Sequence, residues 1–262
     1  TLGSGSSGNA TLLQAGRDFL LIDAGVSIRR IALALSLAGS SLVRLAGVLI
    51  THAHGDHTRS LGRLVTKAPQ VPIYGRAASL REIEAGGVDL STDRAAGGGG
   101  RPLELRQPTM IGGFEVTAVR TPHDGAGSVG LGIAAGSRRL AYLTDLGAPT
   151  PDATELLREA DTILIETNHC EVMLENGSYP PFAKARIRSD EGHLSNEIAA
   201  SWLQATASSR LRRVVCAHLS SDNNTPERAR GAIVEALSGH PKVAACDVMV
   251  APRRDRSPWL PV

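Results

Sequence analysis

Three histidines and an aspartate lie within six residues of this sequence, at His52, His54, Asp56 and His57. Each of these side chains is costly to bury without a partner, and protonated imidazoles repel one another. A divalent cation removes that conflict, because neutral imidazole nitrogens and carboxylate oxygens are among its preferred ligands. The alternative is a polar, solvated loop that happens to be rich in histidine. So many such groups in one short segment favour a metal site.

Similar ligand types recur at the ends of other apolar segments. They are His123, Asp145 and His218, each of which follows a stretch that reads as a β-strand. Side chains gathered from distant segments at the ends of strands are a common way to build a site on a rigid sheet edge. The sequence therefore predicts that these residues join the first cluster.

A strand-to-helix turn must position the histidine cluster. The apolar run Ala46–Ile50 before it predicts a buried strand bounded by glycine. After it, leucines at three-residue spacing from Thr58 onwards predict the opening of a helix. A turn lets ligands two residues apart converge on one point, which a straight strand does not.

The rest of the chain mixes strands and helices. Apolar patterning predicts a hairpin up to Asp23, a helix capped by Ser27, and a strand-rich region that begins near Leu103. Further helices are predicted over 151–159, 195–207 and 226–237, and the glycines at 97–100 predict a loop. Hairpins in each half with helices between them favour two mixed sheets packed together and covered by helices. A length of 262 residues allows one large domain or two.

Composition narrows the class of protein. Hydrophobic content of 42% and charged content of 21% are ordinary for a globular chain, and no stretch is long and apolar enough to span a membrane. Three cysteines, Cys170, Cys216 and Cys246, show no C-x-x-C spacing, which fits a reducing compartment and predicts a cytoplasmic location. Oligomeric state is left open.

A formal charge of +2 predicts no strong overall attraction to polyanions, so nucleic-acid binding would need a local patch. Lys184, Arg186 and Arg188 alternate shortly before His193 and are candidates for such a patch. The alternative is an ordinary solvated face.

The glycine-rich opening, Gly3 to Gly8, matches the G-x-G-x-x-G pattern of dinucleotide-binding turns. That motif requires a helix directly after it, and here a hairpin follows, so we predict no dinucleotide cofactor. A tight turn, or an anion contact beside the metal site, are the remaining interpretations.

These motifs together resemble the metallo-β-lactamase-fold hydrolases, whose H-x-H-x-D-H signature is matched by His52, His54, Asp56 and His57. Within that family the chain is similar to the WalJ/YycJ-like subgroup, which is regarded as DNA exonucleases. The segments that carry this closer similarity are residues 4–9, 166–169, 192–196, 218–220 and 223–224. One departure is Cys170, where the subgroup leads us to expect an aspartate.

The resemblance implies a single domain over residues 1–262 with a four-layer αββα sandwich. It also implies two divalent metal ions, with zinc favoured and manganese the alternative, and a hydroxide held between them that attacks phosphorus. The first metal would be held by His52, His54 and His123, the second by Asp56, His57 and His218, with Asp145 shared between them.

The function that this resemblance implies is hydrolysis of a phosphodiester, with DNA as the substrate of an exonuclease. The predicted catalytic residues are Asp56, His169 and His193, although His169 fits a surface position equally well and His193 fits an incidental place in a capping loop. The predicted substrate-binding residues are Ser6, Ser7, Asn9, Lys184, Arg186, Arg188, His193, Ser195 and Asn224.

Three rival functions remain open at this point. The same scaffold would suit a hydrolase of small phosphodiesters or thioesters. A non-catalytic nucleic-acid-binding relative is a second rival, although seven intact ligand positions argue against it. A redox diiron protein is a third, and His54 in place of a carboxylate favours hydrolysis over it.

Overall fold

The computed structural model describes residues 1–91, 97–243 and 245–260 of the chain. The described residues divide into two compact units. Unit 1 contains those of Thr1–Ala118, Gly125–Val129 and Pro252–Pro258, and unit 2 contains those of Val119–Asp124, Gly130–Ala251 and Trp259–Val262. The expectation of one domain over 1–262 is not tested by this division and stays a prediction.

One sheet has five strands in the order β1-β2-β3-β4-β5 within the described ranges. Its strands are β1 (Thr11–Ala15), β2 (Asp18–Ile22), β3 (Leu45–Leu49), β4 (Pro72–Gly75) and β5 (Gly99–Pro102). β1 and β2 form the predicted hairpin, whose turn uses the left-handed conformation of Gly16. The pairs β2–β3, β3–β4 and β4–β5 are parallel, so the ends of β2 and β3 reach the same edge of the sheet.

The helices of unit 1 follow the apolar spacing. They are α1 (Ile28–Leu37), α2 (Gly55–Thr58), α3 (Leu61–Lys67) and α4 (Ala77–Ala85), with a 3-10 turn at Leu42–Arg44. Ser27 caps α1 as predicted, because its side chain accepts the backbone N–H of Arg30. Ile31 and Leu35 of α1 are fully buried and belong to an apolar core that lies within unit 1.

The predicted loop at glycines 97–100 is partly wrong. Gly99 and Gly100 begin β5, which pairs in parallel with β4. The backbone approaches closely here: a Cβ atom on Gly98 would lie 1.9 Å from the carbonyl oxygen of Pro69. The glycines therefore admit a strand at a crowded place, a use that composition alone does not distinguish from a flexible loop.

The second sheet has the order β12-β11-β10-β9-β8-β7-β6 among the described residues. Its strands are β6 (Thr109–Ile111), β7 (Phe114–Arg120), β8 (Val129–Ala135), β9 (Arg138–Leu143), β10 (Thr162–Glu166), β11 (Arg213–Ala217) and β12 (Asp247–Val250). The strands β9, β10, β11 and β12 are mutually parallel, so β9, β10 and β11 end at one edge.

Three of the five helices described in unit 2 begin at a capping hydroxyl. They are α5 (Pro151–Glu159), α6 (Glu171–Asn176), α7 (Pro181–Arg188), α8 (Asn196–Thr206) and α9 (Pro226–Leu237). Thr150, Ser195 and Thr225 each accept a backbone N–H at the start of a helix. Leu157, Trp202 and other buried side chains form a second apolar core within unit 2.

The prediction of a mixed α/β fold with two sheets and flanking helices is confirmed. Across the residues that the structure describes, no helix combines the length and the apolar character that crossing a bilayer requires.

Candidate metal centre

The histidine cluster lies where the sequence predicts, between β3 and α2. The backbone turns at His54, whose carbonyl oxygen accepts the N–H of His57 at 2.9 Å and so opens α2. This turn brings Nε2 of His52 to within 3.0 Å of Nδ1 of His54, with the two rings edge to face. The two nitrogens therefore converge on one point, as ligands of one cation must.

His57 is completely buried and is oriented by a buried acid. Its Nδ1 lies 2.7 Å from Oδ2 of Asp23, and Asp23 also accepts the backbone N–H and the hydroxyl of Thr51. Donation from Nδ1 to the carboxylate leaves a lone pair on Nε2. This arrangement is typical of a metal-ligating histidine, whose second nitrogen donates to a carboxylate.

Asn9 contacts the remaining donors of this half of the site. Its Nδ2 lies 2.9 Å from Nε2 of His57 and donates to Oδ2 of Asp56 at 3.2 Å. Its side-chain oxygen accepts the N–H of Gly5 at 2.7 Å, which ties the glycine-rich turn to the cluster. The predicted substrate-binding residue Asn9 is thus buried against predicted ligands, whereas Ser6 and Ser7 are exposed on the turn.

Asp23 was not predicted from the sequence as a site residue. It follows the apolar strand β2 and lies beside the end of β3, because the two strands are parallel neighbours. Burial raises the pKa of Asp23, and the contacts with His57 and Thr51 offset part of that rise. The signal in the sequence was an acid directly after a continuous apolar strand.

A second group of donors lies at the strand ends of unit 2. Asp145 follows β9, Glu166 ends β10 and His218 follows β11. Glu166 accepts from Nδ1 of His218 at 2.7 Å and from Nδ1 of His193 at 2.9 Å. Asp145, Glu166, His193 and His218 each offer one ligand atom, and these atoms lie within 4.8 Å of one another.

Glu166 is fully buried and holds this group together. Its other oxygen accepts the backbone N–H groups of Leu146 and Leu194. Burial raises the pKa of Glu166, but the charges and hydrogen bonds of His193 and His218 outweigh it and lower the pKa to about 2. Burial lowers the pKa of His193, and the attraction of Glu166 outweighs that and raises it. Glu166 is thus an anion that favours protonated His193.

His123 belongs to the same group in unit 2. Its Nδ1 lies 3.2 Å from the carbonyl oxygen of Gly192, and its Nε2 lies 3.9 Å from Oδ1 of Asp145. Burial lowers the pKa of His123, and Asp145 offsets part of that change, so the imidazole is neutral near pH 7. Donation from Nδ1 to Gly192 leaves the Nε2 lone pair on the side of Asp145.

The donor chemistry of both groups fits divalent cations. In unit 1, His52 and His54 bring two imidazole nitrogens together. In unit 2, Nε2 of His218 lies 3.5 Å from Oδ1 of Asp145, and the Nδ1 proton of that histidine is committed to Glu166. Nitrogen lone pairs and carboxylate oxygens brought together without protons between them are what a cation binds. That the two groups complete one site stays a prediction.

In the structure, the residues of the predicted basic patch are arranged differently from what the sequence suggested. Lys184, Arg186 and Arg188 lie on helix α7, where successive residues turn by about 100°, so Lys184 and Arg188 share a face and Arg186 lies on the opposite side. Arg188 pairs with Glu171 at 2.9 Å and with Glu175 at 2.8 Å. Lys184 donates to a backbone carbonyl oxygen, and Arg186 pairs with Asp124, its Nε lying 3.1 Å from Oδ2. A phosphate-binding role for these residues stays a prediction that their pairing with acids does not support.

Ser195 and Asn224 have structural partners. The Ser195 hydroxyl accepts the N–H of Ile198 at the start of α8. Asn224 donates to the carbonyl oxygen of Thr167 at 2.8 Å and exchanges amide hydrogen bonds with Asn196. Both residues are buried, and these bonds join the end of β10 to the starts of α8 and α9. Their predicted contact with substrate stays a prediction.

His169 is buried, so its interpretation as a surface residue is wrong. Its Nε2 lies 3.2 Å from Oε1 of Glu171, and burial lowers its pKa, with Glu171 offsetting part of that change. Its predicted catalytic role stays a prediction. Cys170, which stands where an aspartate was expected, is also buried, and its sulfur lies 3.5 Å from Nη1 of Arg228.

Comparison with known proteins places this site in a family. Residues 19–219 match the model of the Beta-lactamase superfamily domain. The chain is 30% identical over 236 residues to "Exodeoxyribonuclease YycJ" of Bacillus anthracis. This match covers 90% of this chain and 87% of that protein. It is 31% identical over 241 residues to "Exodeoxyribonuclease WalJ" of Streptococcus pneumoniae serotype 2, with the same two coverages.

Among solved structures, the metallo-β-lactamase fold protein YhfI of Bacillus subtilis matches with a TM-score of 0.72. The match has 18% sequence identity and covers 96% of this chain and 95% of that one, so it supports the fold alone. The family model and the two sequence relatives confirm the predicted family and the prediction of a metal-dependent hydrolase. The chain belongs to the β-lactamase superfamily, within its metallo-β-lactamase fold.

Proposed function

We propose that this protein hydrolyses phosphodiester bonds with two divalent metal ions and removes nucleotides from an end of DNA. One observation carries the proposal. In each unit a fully buried acid, Asp23 or Glu166, accepts the Nδ1 proton of a predicted ligand histidine. That contact keeps the proton on Nδ1 and leaves Nε2 of His57 and of His218 unprotonated, as the ligand atom of a cation must be.

In this proposal His52, His54 and His123 would hold the first ion, Asp56, His57 and His218 would hold the second, and Asp145 would contribute to both. A bound divalent ion lowers the pKa of a coordinated water from about 15.7 to about 7 and neutralises charge on phosphoryl oxygens. The nitrogen and oxygen donors suit zinc, with manganese as the alternative. The predicted cytoplasmic location stays part of the same proposal.

His193 has the properties of a proton donor to the substrate. Its Nδ1 is held by Glu166, its pKa is raised, and its ring keeps a 24% exposed surface. The residue precedes α8, whose backbone amides favour a phosphate. We propose that the free edge of this imidazole donates a proton to the leaving oxygen or holds a phosphate oxygen.

Both sequence relatives are named exodeoxyribonucleases, which supports DNA as the substrate. A second candidate, hydrolysis of a small phosphodiester or a thioester, has one observation in its favour. Arg186 and Arg188 of α7 are paired with acids, and arginines whose charge is compensated attract a polyanionic strand only weakly.

A direct comparison of substrates tests the proposal. Purified protein loaded with zinc or with manganese is incubated with end-labelled single- and double-stranded DNA, bis(p-nitrophenyl) phosphate and a thioester. We expect stepwise shortening of DNA from one end, which metal chelation stops. Turnover of the thioester without any shortening of DNA would contradict the proposal, and His193→Gln should slow DNA hydrolysis without reducing the bound metal.

A further inference from the structure

Arginines from three distant parts of unit 1 border the glycine- and serine-rich turn near the N-terminus. Nη1 of Arg59 donates to the carbonyl oxygen of Ser7 at 2.8 Å, and Nη1 of Arg30 donates to that of Leu2 at 3.2 Å. The backbone carbonyl of Arg253 accepts the N–H of Ser4 at 3.3 Å. We call Arg30, Arg59 and Arg253 the arginine rim of this turn.

The charge of two rim residues, Arg30 and Arg59, is not cancelled. In the described part of the chain, no carboxylate lies within ion-pair distance of the guanidinium groups of Arg30 or Arg59, and their side chains donate to carbonyl oxygens. A carbonyl uses one of the five guanidinium N–H donors and leaves the positive charge in place. Arg29 is exposed and lies next to Arg30 in sequence, which adds to the positive character of that segment.

This pattern is the opposite of that on α7. Arg186 and Arg188 are paired with Asp124, Glu171 and Glu175, as described above. Two cations whose neighbours are three carboxylates carry no net attraction for an anion. The rim therefore has the uncompensated charge that the sequence had predicted for α7.

The turn between the rim and the ligands offers further donors. The hydroxyl groups of Ser6 and Ser7 are exposed beside Arg59. The same turn continues into Asn9, whose backbone N–H donates to the carbonyl oxygen of Asp56 at 2.8 Å. Gly8 makes this close approach feasible, because a Cβ atom there would lie 2.5 Å from the carbonyl oxygen of Gly25. The rim is thus joined through a few residues to Asp56.

We infer that the arginine rim and the serine hydroxyls of this turn bind the phosphodiester backbone of a nucleic-acid strand. The inference rests on the proposed function and names the surface that would hold the substrate. Contacts from guanidinium groups and hydroxyls to phosphate oxygens carry no sequence information, so binding through such contacts is independent of sequence. It supplies the local attraction that a net charge of +2 does not.

The test compares two double variants that remove equal charge. Arg30→Gln/Arg59→Gln removes two rim charges, and Arg186→Gln/Arg188→Gln removes two paired charges on α7. Binding of a fluorescein-labelled, uncleavable phosphorothioate single strand to the metal-loaded proteins is measured by anisotropy over a range of KCl concentrations. Urea unfolding and turnover of bis(p-nitrophenyl) phosphate are measured on the same samples.

We expect the rim variant to bind about tenfold more weakly at low salt, and the slope of log K against log[KCl] to fall by about 1.4, since each single-strand phosphate contact contributes about 0.7. The α7 variant should keep the slope of the unaltered protein. Turnover of the small diester should stay within about twofold in the rim variant, because its substrate has one phosphate and no strand to hold. Arg30→Lys/Arg59→Lys, which keeps both charges, should restore most of the slope.

An unchanged slope in the rim variant, or an equal loss in the α7 variant, would overturn the inference. Failure of the unaltered protein to bind or shorten DNA, with the small diester still hydrolysed, would instead remove DNA from the proposed function. In that case vesicles of phosphatidylserine and phosphatidylcholine are the second probe. Vesicle binding that the rim variant loses would assign the surface to an anionic membrane and would also overturn the inference.

Discussion

In both units of this protein a buried carboxylate orients histidines, but the number of histidines that it contacts differs. In unit 1, Asp23 accepts one histidine Nδ1 and the two donors of Thr51. In unit 2, Glu166 accepts two histidine Nδ1 atoms and two backbone N–H groups. Both carboxylates are fully buried, yet the pKa of Asp23 is raised and that of Glu166 is lowered to about 2. Burial raises the pKa of both acids, but the net shifts have opposite signs because Glu166 has two imidazole partners.

Both units also aim these side chains with an unusual backbone conformation. Asp23 in unit 1 and Asp145 and His218 in unit 2 have φ values of 59°, 57° and 55°. Non-glycine residues in this left-handed region cost of order 1–3 kcal/mol and persist where the surrounding structure demands them. Each of the three follows a strand, where a sharp change of direction turns the side chain away from the continuing chain. The strain is therefore shared by both halves of the predicted site.

The largest expected effect tests whether the two halves are equivalent. His54→Ala in unit 1 and His218→Ala in unit 2 each remove one predicted ligand, and we expect each to lower turnover of bis(p-nitrophenyl) phosphate by at least about 10³-fold. Bound metal, measured by mass spectrometry of the purified protein, should fall in both. If one variant kept full activity and metal, its unit would not contribute to the reaction.

The orienting acids should differ in importance. Glu166→Gln disturbs two histidines and Asp23→Asn disturbs one, so we expect metal affinity to fall by about 100-fold in the first and about tenfold in the second. Competition with a chromogenic chelator measures both values. Glu175→Gln is the control, because this exposed carboxylate pairs with Arg188 and contacts no ligand histidine. Equal losses in the two acid variants would show that the number of partners is irrelevant.

Two asparagines allow a finer comparison between the units. Asn9 contacts His57 and Asp56, whereas Asn224 contacts Asn196 and backbone groups. We expect Asn9→Ala to lower metal affinity by about tenfold. Asn224→Ala should leave affinity unchanged and lower the free energy of unfolding by about 1–3 kcal/mol, because it leaves buried partners unsatisfied. A change in metal affinity in both variants would mean that Asn9 acts only through general stability.

Local signals in the sequence predicted much of this structure. The helices predicted over 151–159 and 226–237 are confirmed, because the fixed φ of Pro151 or Pro226 and the capping hydroxyl before it are local effects. The ligand types of the histidine cluster were equally readable. The arrangement of the basic residues on α7 could not be read from the sequence, because their alternation is typical of a strand although the segment is helical.

The roles of the orienting acids, Asp23 and Glu166, could not be predicted from the sequence. Glu166 lies opposite Ala217 in the parallel pairing of β10 with β11, and this register places it beside His218. Asp23 meets Thr51 because β2 pairs with β3 in the same way. Which strands are neighbours, and in which register, depends on the packing of distant segments. A carboxylate at a strand end therefore shows its partner only in the folded chain.

The smallest expected effect separates strain inside the site from strain outside it. Arg106 has the same left-handed backbone, with φ of 61°, on an exposed turn far along the chain from the predicted ligands. Glycine at this position removes a penalty of about 1–2 kcal/mol. It adds about 0.5–1 kcal/mol of chain entropy to the unfolded state, and the contacts of an exposed arginine contribute little.

We therefore expect Arg106→Gly to raise the free energy of unfolding by about 0.5 kcal/mol with no change in turnover or bound metal. Asp23→Gly relaxes the same backbone conformation but removes the acceptor of the His57 proton, so it should lose metal affinity as Asp23→Asn does. Urea unfolding and chelator competition measure the pair. A gain in stability without loss of metal in Asp23→Gly would mean that the carboxylate of Asp23 is dispensable to the site.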